Sequence, residues 1–219
     1  MLNAISPSDN KVSPVIDDGV IKFKLTLKIG PAPVASDVLS LEKWRAILWR
    51  LGMIGEYPID KVGYGNLSLR VPPQDTFIIT GTQTGALPHL KREHYTKVVN
   101  CDLKKNSAHA TGPIAPSSES LTHYAIYKSN PSIQAIFHIH HPQLWQKMID
   151  EKMEAIPEDI PYGTLQMAEA AKQVIQGKDE GVFVMKGHQD GIIAYGSSCE
   201  VAGKILLKLY RELGPLELL

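Results

Sequence analysis

The amino-acid pattern predicts a mixed α/β domain, and three stretches carry that expectation. Residues 20–29 alternate, with Ile21, Phe23, Leu25, Leu27 and Ile29 on one face and Lys22, Lys24, Thr26 and Lys28 on the other. This period of two marks a half-buried strand. From Ser40 the apolar residues Leu41, Trp44, Leu48 and Leu51 recur at spacings of three and four, which is the helical period. Residues 133–142, Ile-Gln-Ala-Ile-Phe-His-Ile-His-His-Pro, read as a strand that carries two histidines.

Composition bounds the function. The chain has 219 residues, enough for one sizeable α/β domain. Lys plus Arg and Asp plus Glu both total 23, so charge recommends neither nucleic acid nor a membrane surface as partner, and a small-molecule substrate is expected. No apolar run approaches the roughly 20 residues of a membrane helix. Cys101 and Cys199 are too few for a disulfide scaffold, and the first residues lack the basic start and apolar core of a signal peptide, so a cytoplasmic protein is expected.

In chain order, residues 1–19 are rich in Ser, Pro, Asp and Asn without periodicity and read as a loose arm. The strand over 20–29 suits a sheet edge, where lysines guard against unwanted pairing, and Pro31 and Pro33 break it. The helix from Ser40 ends at Gly52 or Gly55. Gly63-Tyr-Gly-Asn-Leu-Ser-Leu-Arg-Val71 leads through a glycine turn into a short strand, which should pair with a second one at Thr76–Thr80. A Thr/Gly loop follows, Thr80 to Gly85, and residues 87–99 are assigned to a helix with His89 and His94 in solvent. Gly112 to Ser120 is a constrained loop leading to a helix over 118–128, with serine at its cap and Glu119 in its first turn, where the positive end of the helix dipole favours a carboxylate. Helices are expected over 143–153 and, closed by Gly177, over 164–175. A strand over 181–185 then turns sharply through Lys186-Gly-His-Gln-Asp-Gly191 into a strand over 192–195, so His188 belongs to a hairpin loop. The last helix, 198–213, presents Val201, Ile205 and Leu209 on one face and stops at Gly214-Pro215. Residues 1–38 are thus an extension with one strand, and 39–219 the domain proper.

His138 and His140 organise the rest. Side chains two apart on a strand share a face about 6.5–7 Å from each other, so this pair can close on one metal ion. Pro142 ends the strand, and a third ligand must come from elsewhere. His141 faces the other way and stays outside the set.

Asn66 in its glycine turn, the Thr/Gly loop, Pro-Ser-Ser-Glu119, His-Ile-His and Gly-His-Gln-Asp-Gly occur in an order that resembles the class II aldolase/adducin family, over about residues 39–213. The resemblance implies a three-layer α/β/α sandwich around a largely antiparallel central sheet. It makes His138, His140 and His188 the ligands of a zinc ion, or another divalent transition metal, with a vacant position for substrate. Glu119 matches the catalytic carboxylate, and Asn66, Thr84, Gly85, Ser117 and Ser118 match positions that hold a substrate's phosphate. Thr84-Gly85 is preferred to Thr80-Gly81 because Ala-Leu-Pro follows it. The implied activity is cleavage of a C–C bond in a hydroxylated carbonyl compound or sugar phosphate through a metal-stabilised enediolate, in a homotetramer. Epimerase, dehydratase and decarboxylase chemistry on the same metal site, and a non-catalytic adducin-like module, are the alternatives. Two departures stand out: Gln189 follows the third histidine where glycine is frequent, and the segment 141–164 is short, leaving Tyr162 as a weak match to the family's tyrosine proton donor.

Overall fold

A computed structural model of the chain describes residues 20–73, 75–161 and 164–214. In chain order the elements are β1 (Lys24–Ile29), α1 (Ala35–Arg50), β2 (Gly55–Glu56), β3 (Gly63–Tyr64), β4 (Asn66–Val71), β5 (Thr76–Thr80), β6 (Tyr95–Asp102), β7 (Ser107–Gly112), α2 (Ser120–Ser129), β8 (Ala135–His140), α3 (Pro142–Asp150), β9 (Ala155–Ile156), α4 (Leu165–Ile175), β10 (Gly181–Met185), β11 (Gly191–Gly196) and α5 (Cys199–Leu213). The expected arm 1–19, Tyr162 and Pro215 lie outside the described residues.

Nine strands make one sheet in the order β1-β7-β6-β5-β4-β8-β11-β10-β9, and β2 with β3 forms a separate small hairpin. Only the outermost pairs, β1 with β7 and β9 with β10, are parallel. The sheet is therefore largely antiparallel, as the resemblance implies, and β1 lies at its edge, as its lysines suggest. Two apolar cores flank it. Leu41, Trp44 and Leu48 of α1, Leu144 and Met148 of α3, and Leu206 of α5 pack on Ala135, Phe137 and Ile139 of β8. On the other face Leu121 and Ile126 of α2 and Met167 and Ala171 of α4 pack with Ile136, Phe77 and Ile193. Helices on both faces complete the three layers. No helix among the described residues is long and apolar enough to cross a membrane.

Several local expectations need correction. The helix assigned to 87–99 is a short 3-10 turn, Arg92–His94, followed by β6. Tyr-Thr-Lys-Val-Val is stiff at χ1 and packs better on a pleated surface than in a helix, and β6 is held between β5 and β7. β7 escaped notice because Ser-Ala-His-Ala-Thr-Gly carries no large apolar residue. β1 begins at Lys24 and not at Val20, and α1 begins at Ala35 and not at Ser40. In α5 the buried face is Cys199, Ala202, Leu206, Leu209 and Tyr210, with Val201 and Ile205 only partly covered. Ile133, just before β8, packs with the α2/α4 core.

Candidate metal centre and active-site cleft

The alternation of β8 decides where its histidines point. Ala135, Phe137 and Ile139 fill the α1/α3/α5 core, so Ile136, His138 and His140 face the α2/α4 side. His140 lies at the end of the strand, fixed by its N–H donating to the Met53 carbonyl at 3.0 Å. Across the sheet His138 pairs with Asn66 of β4 and Ile193 of β11.

The third histidine comes from the β10–β11 turn. His188 N–H donates to the Met185 carbonyl at 3.1 Å, and Gly191 N–H donates to the His188 carbonyl at 2.9 Å. Asp190 closes the turn at φ +66°, a left-handed conformation that aspartate tolerates better than most residues. A Cβ on Gly187 would press on the carbonyls of Glu158 and Ile160, so glycine is required there.

Ring centroids are 4.8 Å apart for His138–His140, 5.0 Å for His138–His188 and 4.7 Å for His140–His188. One nitrogen of each ring lies within 4.8 Å of the others. All three side chains are buried. Neither ring nitrogen of His138 has a hydrogen-bond partner among the described residues. Its pKa is pushed well below the ordinary value, first by burial and then by neighbouring His188 and His123. A neutral imidazole with a nitrogen to spare is the form that binds metal, and three histidines in one cluster suit a divalent transition ion.

Glu119 faces this cluster, with Oε1 3.9 Å from His188 Nδ1 and both side chains about 5% exposed or less. It occupies the N-cap position of α2 and not its first turn, and its carboxylate makes no capping hydrogen bond. Its own N–H instead donates to Ser117 Oγ at 3.3 Å, while the Ser117 carbonyl accepts from Ser120 N–H and Oγ. Two backbone bonds, Thr82 N–H to Ala115 O and Ser117 N–H to Thr80 O, zip the end of β5 to the approach to α2. Gly81, Thr82, Ser117, Ser118 and Glu119 thereby form one wall of a cleft whose other wall is Tyr64, Asn66 and the three histidines. The Asn66 amide oxygen is buried there without a protein partner among the described residues.

Thr84 and Gly85, expected in this wall, lie behind it. Thr84 Oγ1 donates to the Gly81 carbonyl at 2.9 Å, and the Thr84 carbonyl accepts from buried Arg45 Nη2 at 2.9 Å. Trp49 Nε1 donates to the Gly85 carbonyl at 3.1 Å. A Cβ on Gly85 would collide with the Gly55 carbonyl oxygen, so this glycine lets the β2–β3 hairpin close against the loop. Gly81 and Thr82 line the cleft in their place.

Two tyrosines of that hairpin went unnoticed in the sequence. Tyr57 Oη lies 2.8 Å from His140 Nδ1, and the Tyr64 ring packs 5.4 Å from the His140 ring at 32°. Their signal was a pair of aromatics around Pro-Ile-Asp-Lys directly before Gly-Asn-Leu-Ser. His141 caps α3, accepting from Leu144 N–H at 3.3 Å, and lies outside the cluster. Both cysteines are free and buried, and burial pushes the Cys101 thiol up to about 12.

Comparison with known proteins bears on the fold and the family. No curated protein sequence matches the chain. L-fuculose-1-phosphate aldolase from Thermus thermophilus has a similar structure, with a TM-score of 0.60 at 18% identity over 83% of this chain and 92% of that one. YgbL from Klebsiella pneumoniae, for which aldolase, epimerase and decarboxylase activities are all left open, gives 0.62 at 21% over 80% and 86%. A sugar-phosphate aldolase from Thermotoga maritima gives 0.56 at 18% over 81% and 95%. At these identities the likeness shows the fold. Residues 51–211 match the Class II Aldolase and Adducin N-terminal domain, and the chain belongs to that family.

Proposed function

We propose that the protein is a divalent-metal-dependent aldolase that cleaves a C–C bond in a hydroxylated carbonyl compound of the sugar or sugar-phosphate class. The observation that carries this reading is the buried carboxylate of Glu119 facing three clustered histidines across one cleft. His138, His140 and His188 hold the ion, which we assign as zinc. Bound there, it supplies Lewis-acid polarisation of the substrate carbonyl and stabilises negative charge released on the adjacent carbon. Imidazole ligands also suit cobalt, manganese or iron.

Glu119 moves the proton. In retro-aldol cleavage the C–C electron pair passes to the carbon beside the carbonyl, and the hydroxyl on the departing carbon loses its proton as it becomes an aldehyde. The carbon that receives the pair must then gain a proton, and a buried carboxylate at this wall can accept and return one. Asn66, Ser117 and Ser118 lie toward the α2 N-terminus, where hydroxyl and amide donors with the positive end of the helix dipole suit a phosphate or another anionic tail. Support for a homotetramer and for a cytoplasmic setting comes from the family resemblance and the composition.

The test is to screen zinc-loaded protein for retro-aldol cleavage of sugar phosphates against their unphosphorylated counterparts. Aldehyde release that stops on chelation supports the reading, as does competition by inorganic phosphate for the phosphorylated substrates. Epimerised or decarboxylated products without C–C cleavage between hydroxylated carbons would overturn the aldolase assignment.

A further inference from the structure

The β2–β3 hairpin has no part in the reaction above, yet it reaches into the metal centre. Its residue Tyr57 places Oη 2.8 Å from His140 Nδ1. With Nδ1 engaged there, a bond from His140 to the ion would run through Nε2. We propose that Tyr57 is a positioning residue for the ion: its phenolic oxygen accepts a hydrogen bond from Nδ1–H and so fixes the tautomer in which Nε2 binds metal. The inference rests on the three histidines being a metal centre.

Three features of the fold make the contact rigid. Tyr57 sits at the neck of a tight turn, where its N–H donates to the Val62 carbonyl and its carbonyl accepts from Lys61 N–H, each at 2.9 Å. Its ring packs against Tyr64 at 4.7 Å, and Tyr64 in turn packs on His140, so one imidazole is held at its edge by a phenol and on its face by a second ring. The hairpin is then clamped to the Thr/Gly loop, through Gly63 N–H donating to Gln83 Oε1 at 2.9 Å and through the close approach of Gly55 and Gly85. His140 is also held by its backbone bond to Met53. An oxygen accepting from the far ring nitrogen both aims a ligating imidazole and raises its basicity, and removing such a partner typically weakens metal binding by about 10- to 100-fold.

Tyr57→Phe keeps the ring and its packing but removes the oxygen. Zinc affinity by chelator competition should fall about 10- to 100-fold, and the absorption bands of the cobalt-substituted protein should shift. The metal-free thermal midpoint should stay near that of the wild type. Tyr210→Phe, in α5, is the comparison, because its ring packs on His141, outside the cluster, and touches no ligand; its zinc affinity should stay near wild type. A Tyr57→Phe protein with wild-type zinc affinity and an unchanged cobalt spectrum overturns the inference alone, whereas a wild-type protein that binds no zinc overturns it together with the metal reading.

Discussion

The two walls of the cleft are built by different physics. The histidine wall is a strand: β8 has both faces buried, and its period of two leaves His138 and His140 no other side to occupy. The opposite wall is a loop, in which the choice between Gly81-Thr82 and Thr84-Gly85 was made by tertiary packing. Arg45, Trp49 and the Gly55 backbone claim Thr84 and Gly85, and leave Gly81 and Thr82 to face the cleft. A residue's direction can thus be read from sequence when backbone period sets it, and not when remote side chains do.

Substitutions should expose that difference. On the strand wall the effect is nearly all or none: His138→Ala should reduce bound zinc from about one ion per chain to near none with the fold retained, because two imidazoles are too few for a stable zinc site. Elemental analysis of the purified variant checks this, and unchanged metal content removes His138 from the ligand set.

On the loop wall the expected effects are on stability. Gly85→Ala should cost about 2–3 kcal/mol, the scale of overpacking against fixed backbone, since its Cβ meets the Gly55 carbonyl. Urea unfolding measures it, and a cost below about 0.5 kcal/mol contradicts the close approach of hairpin and loop.

On α2, the side that the strand histidines face, lies His123, fully buried, with Nδ1 2.7 Å from Ser68 Oγ. Burial lowers its pKa from 6.5 to about 3. The folded value is below the unfolded one, so the stabilisation is complete above about pH 6.5 and is lost as pH falls toward 3, amounting to about 2 kcal/mol by pH 5. In His123→Gln the stability curve between pH 6.5 and 5 should be flatter by that amount. Parallel curves would show that His123 is not held neutral.

The smallest effects separate the two candidate anion positions. Thr84→Ala should lower stability by about 1 kcal/mol through the lost bond to Gly81 and leave phosphate competition unchanged. Ser118→Ala should do the reverse, raising KM for a phosphorylated substrate with the unfolding midpoint near native. Inhibition assays beside thermal melts check the pair.

Much of the fold was legible for the same reason that the strand histidines were. β5 and β10 match their expected bounds, and His188 lies in the turn that Lys186-Gly-His-Gln-Asp-Gly marks. The errors concentrate where local pattern and global packing part company. Leu87, Leu90 and Tyr95 mimic a helical spacing, but Tyr95 to Val99 belongs between two strands. Glu119 reads as a first-turn carboxylate, yet Ser117 folds beneath it and brings it to the N-cap position. The aromatic pair Tyr57 and Tyr64 gave only a weak signal, because a hairpin with two residues in each strand has no period to read, and its place beside His140 depends on glycines at Gly55, Gly65 and Gly85 that admit close backbone approach.

The most direct test of the proposed chemistry is turnover of fully metallated Glu119→Gln on a substrate found by the screen. Glutamine keeps the shape of the side chain and cannot exchange a proton. The carboxylate does not cap α2, so stability should change by less than about 1 kcal/mol. The proposal predicts normal zinc content, a near-native thermal midpoint and turnover lowered by about 10²-fold or more. Near-native turnover in that metal-replete variant would contradict Glu119 as the proton carrier, even with the metal centre confirmed.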